Sequence, residues 1–273
     1  MDPNAYLERI NYSGSLAPTA ESLRALHLAH LVTVPFENLD IHLGNPIHID
    51  QGGFYEKIVN RGRGGFCYEL NGLFAWLLKE LGFEVTLLSA RVGDGKGGFS
   101  PEFDHLALRV TCPADPALAA VPWLADVGFG ECFKTPLRLD HLNHVQDQAG
   151  PYVYRIDQKA AYLGLWEKRD GAEWQEQYRF TLKPRRLEEF HAMCQYHQTS
   201  PTSHFTRKRI CSRVTANGRI TLGEDKLIIR ESGQRVERPV HAHEYRAILE
   251  QQFGIRLDQD FLEKGINQGD TVS

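Results

Sequence analysis

Apolar residues along the chain first recur at helical spacing and later switch to alternation. Leu23, Leu26, Leu28 and Leu31 support one short helix, and residues Phe54 to Val59 a second. The strongest period follows Cys67: Phe74, Leu77, Leu78 and Leu81 lie four, seven, eight and eleven positions beyond Leu70, and Gly82 supplies a stop. That register puts Cys67 at the N-terminal end of an amphipathic helix. Beyond Gly82 the pattern alternates, predicting strands at 83–92, 105–111, 123–127 and 152–157. Asp170-Gly171 between 162–169 and 174–182, and Asn217-Gly218 between 209–215 and 219–222, predict two hairpins. Further helices are expected at about 187–197 and 244–253. Helices, then antiparallel strands, then both, without regular strand–helix alternation, predict an α+β fold and not a doubly wound parallel sheet. The stretch from Cys112 to Pro122 is expected as a surface loop, and the chain shows no internal repeat.

With 273 residues, the chain is about twice a typical domain and can bury a large core. The changes of period divide it at 1–82, 83–185 and 186–273. A composition of 42% hydrophobic and 24% charged residues is that of a folded globular protein. A formal charge of −4 offers no general footprint for nucleic acid or an anionic membrane, so an anionic ligand must be held locally. No apolar run approaches the roughly 18 residues that span a bilayer, and the initial MDPNAYLERI does not read as a secretory leader. Cys67, Cys112, Cys132, Cys194 and Cys211 are scattered, odd in number and without a C-x-x-C pair. They suggest neither a disulfide framework nor structural zinc, and a reducing cytoplasm is expected.

The candidate chemistry centres on Arg61-Gly-Arg-Gly-Gly-Phe-Cys67, a glycine-rich loop that delivers a cysteine to a helix start. Free N–H groups and the helix dipole favour thiolate there, and Arg61 and Arg63 can add to the effect. The competing reading is a small buried cysteine that fills space. A cysteine nucleophile needs a base and a group to orient the base, and His105 and Asp126 are the best downstream pair. His105 opens an alternating segment, and Asp126 lies in an apolar strand where an unpaired carboxylate is costly. Asp126 can be satisfied by the Nδ1–H of a histidine or, equally, by a neighbouring turn amide. Alternation should turn the adjacent Asp104 away from His105.

Other histidines and glycines are less persuasive. His191, Cys194 and His197 fall within seven residues, but helix geometry spreads them too widely to converge on one metal ion. Gly93-Asp-Gly-Lys-Gly-Gly98 matches a dinucleotide-binding fingerprint, yet Phe99-Ser-Pro follows where a helix would have to begin. It is expected to be a loop leading toward His105. Arg207-Lys208-Arg209 with Arg213 is a candidate anion site, with a merely solvated charge run as the alternative.

Taken together, Pro35-Phe-Glu-Asn-Leu39, Arg63-Gly-Gly-Phe-Cys67, His105-Leu106, Asp126-Val-Gly-Phe-Gly130 and Ser200-Pro-Thr-Ser-His-Phe205 resemble the arylamine N-acetyltransferase family in content and order. The resemblance implies an N-terminal helical bundle, a central antiparallel β-barrel and a C-terminal α/β lid around a cysteine-protease-like core. It implies a Cys67–His105–Asp126 triad and no metal. Acetyl-CoA would be the acyl donor, and an arylamine, hydrazine or arylhydroxylamine the acceptor, in xenobiotic metabolism. By the same resemblance Phe36, Phe66 and Phe129 would wall the acceptor pocket, and Gly128, Gly130 and Phe205 would lie near CoA. Glu37 and Arg63 are either a supporting ion pair or two surface charges. Without the long middle insertion or carboxyl-terminal tail of mammalian relatives, a more open cleft is expected. A monomer or homodimer is anticipated. Rival readings are a cysteine hydrolase, a transglutaminase-like enzyme or an amide synthase sharing the triad, and a binding module in which Cys67 is structural.

Overall fold

The computed structural model describes residues 1–149 and 152–257; the part of the expected third segment from 258 to 273 lies outside the described residues. Its first third is helical: α1 (Pro3–Arg9), α2 (Ala20–Thr33), α3 (Leu39–Leu43), α4 (Gln51–Tyr55), which runs on into a π-helical turn at Glu56–Asn60, and α5 (Cys67–Glu80). Asp2 caps α1 by accepting the Asn4 N–H at 2.9 Å, and Thr19 caps α2 through the Ser22 N–H at 3.3 Å. The apolar stripe locates α5 correctly but understates its burial: every residue from Cys67 to Leu78 is enclosed. Gly72 is part of the reason, since a Cβ there would stand 3.0 Å from the Phe54 ring. Gly82 leaves the helix with φ of +87°, a conformation glycine adopts without steric cost.

Eight antiparallel strands follow. They are β2 (Glu84–Val92), β3 (His105–Thr111), β4 (Trp123–Ala125), β5 (Leu137–Arg138), β6 (Val145–Ala149), β7 (Tyr152–Gln158), β8 (Leu163–Arg169) and β9 (Gln175–Phe180). Their order is β5-β4-β3-β2-β9-β8-β7-β6, and the end strands approach each other, so the sheet is a nearly closed barrel. The Gln146 side chain joins those ends by accepting from Arg138 N–H at 2.6 Å and donating to its carbonyl at 2.9 Å. Alternation explains the two faces of β3: Leu106, Leu108 and Val110 join the core around α5, whereas Ala107 joins the barrel interior with Leu124, Tyr178 and Phe180. His105 and Asp126 fall on the interior parity.

After a 3₁₀ turn at Leu187–Phe190 come α6 (His191–Thr199), α7 (His204–Arg207), β10 (Cys211–Thr215), β11 (Gly218–Leu222), β12 (Lys226–Glu231), β13 (Gln234–Pro239) and α8 (Ala242–Phe253). Tyr245, Ile248, Leu249 and Phe253 of α8 pack on Cys211, Ile220, Leu222 and Leu227. The sheet order is β1-β10-β11-β12-β13, where β1 (Phe36–Glu37) comes from the N-terminal third. The α+β class is therefore as expected.

Both turn assignments need correction. Thr215 pairs with Gly218, which puts Ala216-Asn217 in the turn and Gly218 in the strand. A Cβ on Gly218 would stand 1.8 Å from the Arg230 carbonyl oxygen, so strand proximity is the local demand for glycine. Asp170-Gly171 lies in a longer connection, because the last β8–β9 pair is Glu167–Gln175. Strands β12 and β13 had no clear pattern to announce them: in β12 only Leu227 is buried, and all six residues of β13 are exposed.

A seam joins the two sequence motifs that precede the helix α5. Glu37 N–H donates to the Gly65 carbonyl at 2.8 Å and Gly65 N–H to the Pro35 carbonyl at 3.3 Å. Gly64 permits this approach, since its Cβ would lie 2.0 Å from Pro35 oxygen. Beneath the seam is a buried charge network. Arg63 donates to Glu37 at 2.8 and 3.0 Å and to Asp40 at 3.2 Å, while Lys57 contacts Asp40 at 2.7 Å and Glu69 at 2.9 Å. Glu37 and Arg63 are thus a buried pair and not surface charges. Removing one member of such a network leaves the others uncompensated. Lys57→Met is expected to destabilise the fold by about 3–5 kcal/mol in urea unfolding.

Burial pushes the Glu69 carboxyl up to about 7, against an attraction to Lys57 that lowers it. Between the ordinary value of 4.5 and about 7, the folded chain retains a Glu69 proton that the unfolded chain has lost. This group therefore makes stability fall as pH rises through that window. Glu69→Gln is expected to flatten the dependence of the urea midpoint on pH from 5 to 7; an unchanged slope would refute that origin.

Candidate active site

Cys67 is the first residue of α5 and only 3% exposed. Phe66, in extended conformation before it, donates its N–H to the Glu69 carboxylate at 3.0 Å, which fixes the start of the helix. His105 opens β3 and is likewise 3% exposed; its Nε2 stands 2.7 Å from Asp126 Oδ2. The sequence expectation of an Nδ1–H contact to Asp126 is corrected to Nε2, because the ring enters from the end of β3 with that edge toward the carboxylate.

Asp126 is fully buried and each oxygen has two partners. Oδ2 receives His105 Nε2 and the Tyr178 hydroxyl at 3.0 Å; Oδ1 receives the Asn71 amide at 2.8 Å and Gly128 N–H at 3.0 Å. The histidine and the turn amide, alternatives from sequence, are both present. Burial works to raise the Asp126 pKa, but the His105 charge and these hydrogen bonds overcome it and hold the carboxyl below its ordinary value. Burial, with Asp126 nearby, pushes the Tyr178 phenol well up, so it remains a donor.

Asn71 and Tyr178 were not singled out from sequence. Asn71 carried a signal, since it is a polar residue four positions after Cys67 on the same helix face. Its amide also donates to the Leu106 carbonyl at 2.6 Å, and its oxygen accepts Val127 N–H at 2.9 Å. The helix that begins with Cys67 thereby holds the carboxylate directly. His27 of α2 fixes the same strand end: Nδ1 lies 3.0 Å from the Lys134 carbonyl and, as donor there, leaves Nε2 to accept Asp126 N–H at 3.2 Å. Burial lowers the His27 pKa and keeps the ring neutral.

A cleft of about 850 Å³ is lined by Phe36, Cys67, His105, Gly128, Phe129, Gly130 and Phe205, among others. Phe129 stands 5.0 Å from the rings of both His105 and Tyr178. A Cβ on Gly128 would be 2.9 Å from Cys67 Cα, so this glycine lets the loop press against the first turn of α5. Phe66 is placed differently from the expected pocket wall. As the residue before α5 it is fully buried behind the cleft, edge-on to Tyr68 at 5.0 Å and to Phe205 at 6.0 Å.

Burial, reinforced by the Asp104 and Asp126 carboxylates, pushes the Cys67 thiol well above its ordinary value, while a backbone contact from Leu106 lowers it. The preference for thiolate expected from the helix start is therefore opposed by burial and by these two carboxylates. Asp104 turns to His197, whose Nε2 is 3.2 Å from Oδ1. Cys194 faces the Ile47 carbonyl at 3.8 Å. Among the described residues no group of three or more His, Cys, Asp or Glu is arranged to hold a metal.

Arg207, Lys208 and Arg209 of the basic run line the cleft, and the three arginines of the candidate anion site make contacts of their own with the protein. Arg207 donates to the Ser203 carbonyl, Arg209 pairs with Glu224, and Arg213 donates to the Val32 and Gln252 carbonyls. No described helix is long and apolar enough to cross a membrane.

Comparison with known proteins places these features in a wider set. The sequence profile of the N-acetyltransferase family matches residues 19–262. An arylamine N-acetyltransferase of Escherichia coli K12 is 36% identical, over 93% of this chain and 89% of its own. The pineal gland isozyme NAT-3 of Gallus gallus, also an arylamine N-acetyltransferase, is 33% identical over 96% of this chain and 97% of its own. The structure of Mycobacterium marinum arylamine N-acetyltransferase in complex with CoA superposes with a TM-score of 0.87 at 33% identity, covering 98% of this chain and 99% of the other.

The Tyr178 hydroxyl gives a direct test of how Asp126 is held. Its lowered pKa contributes stability that is complete above the unfolded value of 3.8 and lost as pH falls through the folded value. Tyr178→Phe is expected to cost about 1.5–3 kcal/mol at pH 7 in urea unfolding. The acid loss of stability should also move to higher pH, since the weakened carboxylate protonates sooner.

Proposed function

Because the chain belongs to the arylamine N-acetyltransferase family, we propose that it transfers the acetyl group of acetyl-CoA to arylamines and arylhydrazines, and to the oxygen of arylhydroxylamines, through an acetyl-cysteine on Cys67. The carrying observation is the His105 Nε2 to Asp126 contact of 2.7 Å in the cleft that Cys67 also lines. With Nε2 engaged, Nδ1 is the nitrogen that takes the thiol proton. Burial and two carboxylates disfavour an isolated Cys67 anion, so the thiolate exists as an ion pair with the imidazolium it creates.

The thiolate attacks the thioester carbonyl, and the helix-start amide of Cys67 is suitably unengaged within α5 to donate to the developing oxyanion. Collapse breaks the bond to the CoA sulfur, which leaves with the proton held on His105. In the second half-reaction the amine attacks acetyl-Cys67, His105 removes its proton, and collapse releases the N-acetyl product and restores the thiol. Phe36, Phe129 and Phe205 supply aromatic surface for the acceptor, with Gly128 and Gly130 beside the donor. In this reading, segment 1–82 contributes the nucleophile, 83–185 the histidine and aspartate, and 186–273 the cover. Five described cysteines without a disulfide suit a reducing cytoplasm.

Intact-mass measurement with acetyl-CoA alone should show one acetyl group on the Cys67 peptide, discharged by 5-aminosalicylate to its N-acetyl product. Cys67→Ser should fall below about one thousandth of the wild-type rate. Wild-type turnover in that variant would defeat the nucleophile assignment, and discharge to water as fast as to amine would identify a hydrolase.

A further inference from the structure

The cation best placed to hold an anion is Arg219, outside the basic run that the sequence offers. It stands on β11 directly across from Arg230 of β12, so two like charges share one cross-strand pair. Arg230 is neutralised by Glu131 at 2.7 and 2.8 Å. Arg219 is 7% exposed and donates to Ser212 Oγ at 3.0 Å; Glu131 attracts it as well, but that one carboxylate is in ion-pair contact with Arg230 and so faces two guanidinium groups. Two guanidinium groups against one carboxylate leave a buried positive charge unmatched, which is costly.

Two cavities meet at this residue. The cleft that begins at Cys67 and His105 also reaches Arg219, Arg230 and Glu131. A second cavity of about 330 Å³, between the barrel and the C-terminal sheet, has the same three residues in its wall. Lys134 also lines that cavity, and burial together with the nearby Arg219 charge lowers its pKa. Besides Glu131, the acidic residues of that wall are Asp170 and Glu231, and both are exposed to solvent. The cleft that holds Cys67 thus itself extends to the pair of guanidinium groups that share Glu131.

We propose that Arg219 is the phosphate subsite for the nucleotide end of the acyl-CoA donor. The inference rests on the acetyl-transfer reading above. A phosphate can accept two parallel N–H bonds from the guanidinium, a match that a lysine cannot reproduce. Binding there supplies the missing counter-charge and orients the donor by the end remote from its thioester.

The test compares acylation of Cys67 by acetyl-CoA and by S-acetylpantetheine, which carries the thioester but no phosphate. Arg219→Met should lower kcat/KM about 10- to 100-fold with acetyl-CoA, chiefly through KM, and change the phosphate-free donor little. Arg219→Lys should recover part of the loss. Adenosine 3′,5′-bisphosphate should compete with acetyl-CoA in the wild type and inhibit the methionine variant less. Equal losses with both donors would make Arg219 structural, and no loss with either would remove it from binding; both overturn the proposal. Non-competitive inhibition would put a separate anion at Arg219 and overturn the donor assignment. If no donor acylates the wild type, the acetyl-transfer reading fails, and this one with it.

Discussion

An ionised carboxylate without water must have its lone pairs filled by the protein, and at Asp126 that requirement organises the centre of the molecule. Its four donors come from α5, β3, β9 and its own loop. Satisfying one charge therefore fixes the helix that starts with Cys67 relative to the barrel strands bearing His105 and Tyr178. The same partners that offset desolvation restrict the carboxylate's orientation and hold the histidine edge. Stability and site geometry have a common physical origin here.

A second buried network braces the start of α5. The glycine seam brings residues 35–37 against 63–65, and the Lys57 and Arg63 charges tie that seam to Glu69 in the first turn of α5. Glu69 also accepts the N–H of Phe66, the residue before Cys67, so a change in its ionic partners reaches the start of α5 directly. Continuation of Phe36–Glu37 into the C-terminal sheet extends this constraint across the cleft.

What was legible in the sequence followed from local periodicity. The α5 stripe and the alternation of β3 are short-range facts, and they located Cys67 and His105 on the right elements. Asp126 was legible as a charge in an apolar strand, although its partners were not unique. Asn71 was visible only as a polar interruption at i+4, and Tyr178, 52 residues from Asp126, had no local signal. Exposed β13 could not be recognised by a core pattern because it has no buried side chain among its six residues. The ring edge offered by His105 likewise depends on tertiary approach, which strand parity does not determine.

The cationic residues show why charge density along a sequence is a poor guide to a binding site. Arg207, Arg209 and Arg213 form a conspicuous cluster, yet part of their donor capacity goes to carbonyls and to Glu224 in the folded chain. Arg219 is an isolated letter in an alternating strand, but folding buries it opposite a cation that already has its own carboxylate. Exposed charges can be solvated or paired at little cost, whereas a buried one without a counter-ion leaves an electrostatic demand that a ligand can meet. The informative quantity is therefore the residual charge after the protein's own contacts are counted, and at the end of this cleft that residue is positive.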